Sequence, residues 1–282
     1  MTSTTEQLAG PAGAGSATDV LVERLADEPA VVVITLNRPE RRNAYTAGLC
    51  AALVAALEAY DADPELRVAV LRGAGGAFCS GGDVRSAEEI EQGDSSPFGH
   101  GTVMRTTGQA VVRTLLGLTK PVIASIDGPA VAGGLTFALA CDLRIASDRA
   151  RLGDTSGRFG LLPDEGGTWL FPRAMGLEPA LRMSLLGEVY PAEEARRLGL
   201  VGQVVPADDL EQETAALARR LAEAAPLAVG TVRRLMRSAL EQDLGPALEA
   251  LQLAVDVVNR SQDVAEGVAA FVERRTPRFR GA

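Results

Sequence analysis

Apolar residues along this chain fall into two regimes. Up to about Pro206, short β-branched runs alternate with stretches of helical period; beyond it, one amphipathic helix follows another. The run Val31-Val-Val-Ile-Thr-Leu36 reads as a buried strand that ends at Asn37-Arg-Pro39. Thr46 is placed to cap the next helix, where Leu49, Leu53, Leu57 and Tyr60, with Cys50 and Val54 beside them, share one face. Val68–Leu71 is a second strand and runs into a glycine turn, Phe78–Asp83. Val122–Ile126 is a third, followed by a second glycine turn, Gly128–Gly134, and an apolar helix from about Leu135 to Ala140. Leu143–Ala146 reads as a fourth strand. Strands alternating with helices predict parallel pairing through right-handed crossovers, an α/β fold. The segment Gln92–Gly108 is Gly- and Ser-rich with little periodicity and predicts a mobile loop near the first glycine turn.

The second regime predicts helices over about Leu210–Ala224, Ala228–Leu240 and Pro246–Asn259, and a last one from near Asp263 that stops at Pro277. Leu248, Leu251, Val255 and Val258 form a stripe wide enough to pack on something large, which makes this region a candidate for subunit contacts. The organisation expected is a disordered tail over residues 1–20, a core over 21–205 and a helical region over 206–282. The Thr-, Gly-, Ala- and Ser-rich start lacks the basic head and apolar centre of a signal peptide. No apolar run approaches the roughly 20 residues that span a bilayer, so a soluble cytoplasmic protein is expected, without membrane partners.

Composition narrows the chemistry. Three scattered cysteines, Cys50, Cys79 and Cys141, do not make a disulfide framework, and with the single histidine, His100, they predict no metal site. A net charge of −9 argues against nucleic acid as a partner, although local arginines can still hold an anionic ligand. Within Ser156–Thr168, Asp164 and Glu165 lie between a proline and two glycines, on a sharp turn that can hold a carboxylate over a pocket. The two upstream glycine turns can each aim a backbone N–H at one carbonyl oxygen. An oxyanion hole plus a carboxylate is equipment for moving a proton next to a thioester.

Four segments together resemble the crotonase (enoyl-CoA hydratase/isomerase) superfamily. They are Asn37-Arg-Pro-Glu-Arg-Arg-Asn-Ala44, Gly76-Ala-Phe-Cys-Ser-Gly-Gly-Asp83, Gly128 to Asp142, and Gly160-Leu-Leu-Pro-Asp-Glu-Gly-Gly-Thr168; the ending from Asp263 to Pro277 is similar as well. The resemblance implies a crotonase-like spiral of ββα repeats with C-terminal helices that build trimers or dimers of trimers. It implies an acyl-CoA thioester as ligand, with coenzyme A part of the substrate and no separate cofactor. By position, the oxyanion hole would use the N–H groups of Gly82 and Gly133, and Ser80, Thr136, Asp154 and Ser156 would line the substrate pocket.

Departures from the family pattern bear on the reaction. The two glutamates of family hydratases fall at Thr136 and Ser156, whose hydroxyls are no general bases by themselves, so hydration by the two-glutamate mechanism is not expected. The string from Gly160 to Arg173 instead resembles the epoxyphenylacetyl-CoA isomerases of bacterial phenylacetate degradation, and dienoyl-CoA isomerases also place an aspartate at this turn. The resemblance implies an acyl-CoA isomerase in which Asp164 shuttles a proton, its carboxylate raised by an apolar wall such as Phe159, Leu162 and Trp169. Adjacent residues in an extended segment point opposite ways, so one of the acidic pair faces the pocket; Asp164 is favoured by the pattern, with Glu165 the alternative acid/base. A decarboxylase or carbon–carbon-cleaving relative, or a catalytically silent acyl-CoA binder, are the alternatives. Arg41, Arg42 and Arg85 are the candidate cations for the coenzyme's phosphates, and His100 is a candidate pocket residue.

Overall fold

A computed structural model describes residues 18–84 and 99–282. The core is a six-stranded sheet in the order β1-β2-β3-β4-β6-β9, built from β1 (Val20–Leu25), β2 (Glu28–Leu36), β3 (Val68–Gly73), β4 (Val122–Ile126), β6 (Leu143–Ser147) and β9 (Gln203–Val205). β1 pairs antiparallel with β2 and every other neighbour is parallel. A second sheet of three short strands, β5 (Pro129–Val131), β7 (Arg151–Gly153) and β8 (Val189–Pro191), stands beside the site.

The inner strands β3 and β4, and the second half of β2, are largely apolar and buried because both faces of the sheet are covered there. Val32, Ile34, Leu36, Ala69 and Leu71 pack toward α1 (Ala47–Ala62), α3 (Gly108–Gly117) and α4 (Gly133–Ala140). Val31, Val68, Val70, Ile123 and Ile145 face the other way, against Leu210, Ala218 and Ala222 of α8 (Leu210–Ala222). The cap of α1 is as expected: Thr46 Oγ1 accepts from the Leu49 N–H at 3.2 Å, and Leu49, Cys50, Leu53, Leu57 and Tyr60 are buried.

The expected loop over Gln92–Gly108 is corrected in part. Residues 92–98 lie outside the described residues, but α2 (Gly99–Thr106) is helical and Gly108 opens α3. Val111, Val112 and Leu115 of α3 are buried, so tertiary packing overrides a glycine-bracketed sequence that is weak in local propensity. α5 (Gly167–Met175), α6 (Leu177–Leu186) and α7 (Ala192–Arg197) complete the core.

The helical region contains α8, α9 (Pro226–Ala239), α10 (Leu244–Val258) and α11 (Gln262–Glu273). The last ends at Glu273, before Pro277, with Arg274 in the left-handed conformation. Leu248, Leu251 and Val255 are exposed, so the stripe on α10 is not spent on the core of its own chain. α9 is fastened to the core by charge. Arg233, on α9, donates to both oxygens of Asp142 at 2.9 and 2.8 Å, to the Leu115 carbonyl at 2.6 Å, and to the Leu118 carbonyl. Asp142 also receives Arg237 at 2.7 Å and the Val122 N–H at 2.9 Å, so one carboxylate joins α9, α4 and β4. Removing one partner of a buried pair leaves the other charge and its hydrogen bonds unmet. Arg233→Ala is therefore expected to lower unfolding free energy in urea by about 3 kcal/mol or more, and Arg237→Ala, on the more exposed arm, by less.

Candidate functional site

The two glycine turns are zipped together by backbone hydrogen bonds. Phe78 and Cys79 N–H both donate to the Pro129 carbonyl, at 2.9 and 3.1 Å, and Val131 N–H returns to the Cys79 carbonyl at 3.0 Å. Gly81, with φ of +93°, turns the chain so that its carbonyl takes the Tyr45 N–H while Asp83 N–H donates to the Tyr45 carbonyl, both at 2.9 Å. Gly82 is thus clamped beside Tyr45. The Asp83 side chain is held by Arg38 at 3.0 Å, and the same guanidinium donates to the Ala44 carbonyl at 2.5 Å.

On the second turn, Ala132 adopts φ of +49° and ψ of −127°, a conformation that costs a non-glycine residue on the order of 1–3 kcal/mol. It is held there from both sides. Its N–H donates to the Gly153 carbonyl at 3.0 Å, and its carbonyl accepts from the N–H and the hydroxyl of Thr136 at 3.2 and 3.4 Å. The next residue, Gly133, opens α4, where the helix leaves N–H groups without an intrahelical acceptor and presents the positive end of its dipole. Among the described residues no hydrogen-bond acceptor is recorded for the N–H of Gly82 or of Gly133.

Against these turns stands one buried carboxylate, and it belongs to Glu165. The residue is 5% exposed, its Oε1 accepts a hydrogen bond from the Tyr45 hydroxyl, and its buried Oε2 has no partner among the described residues. A side chain built on Gly133 would run into Glu165 Oε1, and one on Gly108 would come within 2.6 Å of its Cγ. Both positions are glycine because the acid and the Tyr45 ring fill the space. Phe137 of α4 backs that ring, centroid to centroid at 5.1 Å.

Burial pushes the Glu165 carboxyl up to about 7, with smaller upward contributions from Asp164 and Asp154, against the downward pull of the Tyr45 hydrogen bond. The Tyr45 phenol is itself driven far above its ordinary value, by burial first and then by the Glu165 charge. It remains a neutral donor, and Oε2 is left as the free, basic oxygen.

Other expected residues fall into place unevenly. Asp164 is half-buried; its N–H donates to the Leu162 carbonyl at 2.9 Å and its carbonyl accepts from Gln109 at 2.8 Å. Phe159 and Leu162 are 66% and 72% exposed, which corrects the apolar wall expected around this turn; the enclosure is made instead by Tyr45, Gly108 and Gly133 around Glu165. Trp169 is half-buried with the Arg173 guanidinium 3.9 Å above its ring.

Thr136 is fully buried, and its hydroxyl supports the Ala132 turn. Asp154 is fully buried; its Oδ1 accepts from the Ser156 N–H at 3.0 Å, and Oδ2 is unpaired among the described residues. Arg41 and Arg42 are exposed, and their carbonyls accept from the Ser80 hydroxyl and N–H at 3.3 and 3.1 Å, which ties their backbone to the Gly82 turn. Arg85 and the side chain of His100 lie outside the described residues. Tyr45 is the residue that sequence reasoning missed. It directly follows the motif Asn37–Ala44, but only the parallel bridge to Gly82 brings its ring into the site.

No helix among the described residues is long and apolar enough to cross a membrane. Residues 26–282 match the sequence model of the family described as Enoyl-CoA hydratase/isomerase. The chain is 35% identical over 254 residues to the 1,2-epoxyphenylacetyl-CoA isomerase of Escherichia coli, covering 90% of this chain and 96% of that one. It is 38% identical over 253 residues to the (E)-benzylidenesuccinyl-CoA hydratase of Thauera aromatica, covering 89% and 96%. Among solved structures, an enoyl-CoA hydratase from Bacillus anthracis superposes with a TM-score of 0.87 at 32% identity, covering 94% of this chain and all of that one. With the crotonase fold and nearly the whole length matched, the chain belongs to the enoyl-CoA hydratase/isomerase family of enzymes that act on acyl-CoA thioesters.

Proposed function

We propose that this enzyme is an acyl-CoA isomerase that moves one proton along the acyl chain with Glu165 as its acid/base. The observation that carries the reading is the buried Glu165 carboxylate, held near neutrality, with one oxygen tied to Tyr45 and the other without a partner among the described residues. The thioester carbonyl would accept the N–H groups of Gly82 and Gly133. Glu165 Oε2 would then take a proton from an acyl carbon, the electron pair would pass to the carbonyl oxygen as an enolate, and the same proton would return at another carbon. Nothing is gained or lost overall, so one acid/base suffices. The two N–H donors and the α4 terminus act where charge develops, and each such donor is worth about 3 kcal/mol. The Asp164 assignment that the family pattern favours gives way here to Glu165, because the carboxylate enclosed beside Gly133 is that of Glu165. Arg41 and Arg42 are the proposed phosphate contacts, with Arg85 from sequence alone.

Hydration is the second reading, favoured by one observation: Asp154 is another buried carboxylate, and it acts electrostatically on Glu165. Two carboxylates also disfavour a substrate carboxylate beside them, which weighs against decarboxylation of malonyl-type thioesters. The exposed apolar stripe of α10 supports a homotrimer or dimer of trimers, for which light scattering is expected to show three or six copies; a monomer would contradict it.

In deuterium oxide, the enzyme is expected to exchange protons of an unsaturated acyl-CoA and shift its double bond. Glu165→Gln should slow exchange by about 10²–10⁴-fold, while Asp164→Asn keeps most of it; full exchange in the Glu165 variant would remove Glu165 from the mechanism. Because the working form is ionised, kcat/KM should rise with pH through about 7. Tyr45→Phe deletes a hydrogen bond to the charged form, so the acid limb is expected to move upward by about one unit. A limb that stays in place or moves down would show that Tyr45 does not hold the base.

A further inference from the structure

The mechanism uses one of two unpaired carboxylate oxygens in the site and leaves Asp154 Oδ2 without a task. Asp154 directly follows Gly153, whose carbonyl holds the Ala132 turn at 3.0 Å, so it is anchored to the strand that shapes the oxyanion hole. The residue is fully buried. One oxygen is fixed by the Ser156 N–H at 3.0 Å, which sets the rotamer, and the other is a buried acceptor with no partner among the described residues. Gly153 bonds Ala132 and Glu165 Oε1 lies against Gly133, so both acids stand beside the same turn, and the Asp154 charge is felt at Glu165. An unpaired buried acceptor is costly in the free protein, and the cost is recovered when a ligand brings a donor.

The geometry points to Asp154 Oδ2 as a specificity determinant that accepts a hydrogen bond from a hydroxyl group on the acyl chain, a reading that rests on the acyl-CoA site proposed above. A carboxylate substituent would be repelled by both acids. An ammonium would draw Glu165 down and weaken it as a base, whereas a neutral hydroxyl satisfies Oδ2 and leaves Glu165 basic. The substrate class is therefore a hydroxylated acyl-CoA rather than a plain fatty acyl-CoA.

The test is calorimetric binding of three saturated thioesters that the proposed proton shift leaves unchanged: butyryl-CoA, 3-hydroxybutyryl-CoA and 4-hydroxybutyryl-CoA. The wild-type enzyme is expected to bind one hydroxylated form about tenfold or more tightly than butyryl-CoA. In Asp154→Ala that ratio should fall to about one. Asp154→Asn keeps an oxygen for the Ser156 N–H but replaces the free acceptor by a donor, and it should lose the preference as well. Three results would overturn the inference: no preference in the wild type, the same preference in both variants, or an equal loss of all three thioesters, which would make Asp154 structural. If the preference holds but no deuterium exchange occurs on any unsaturated thioester, the isomerase reading falls and the hydroxyl subsite stands.

Discussion

The hydrogen bond from Tyr45 to Glu165 joins residues 120 positions apart and tempers the proton affinity that burial gives the acid. A carboxylate closed into protein prefers its proton, and the groups that act most strongly on Glu165 include no cation to reverse that preference. The phenol supplies a partial correction, so the acid settles near neutrality instead of staying protonated. Everything around it accommodates that pair. Gly108 and Gly133 give up side chains to make room, and Phe137 fixes the ring from behind. The bridge from Tyr45 to Gly82 ties the same residue to the first glycine turn.

The second turn shows how backbone strain is held where it is useful. Ala132 sits in an unfavourable conformation because Gly153 and Thr136 bond it from opposite sides, and the result is a Gly133 N–H at the head of a helix. The two positions that resemble the family's glutamates thus have other tasks here. Thr136 braces the turn, and Ser156 fixes Asp154. Buried carboxylates are not missing from this part of the fold; they stand at 154 and 165.

Much of the scaffold is written in local pattern. The apolar runs that became β2, β3, β4 and β6 put residues into the clusters on both faces of the sheet, and such runs advertise themselves without help from distant residues. The helices beyond Pro206 are legible for the same reason, since their apolar period is sustained. β5, β7 and β8 have three residues each and no period to detect, and α3 owes its helix to burial of Val111, Val112 and Leu115. Within the site, the glycine turns and the acidic pair stand out by composition. Which acid is enclosed does not, because it depends on the space left by Gly108 and Gly133. Tyr45 is invisible for a related reason: its role arises from a backbone bridge across the fold, and its neighbours in sequence give no sign of it.

The most direct measurement is a crystal structure with an unreactive acyl-CoA analogue bound. The thioester oxygen is expected to meet the N–H groups of Gly82 and Gly133, with Glu165 Oε2 against the acyl carbons and Tyr45 still on Oε1. A carbonyl bound elsewhere, or an acyl chain that no oxygen of Glu165 reaches, would contradict the account.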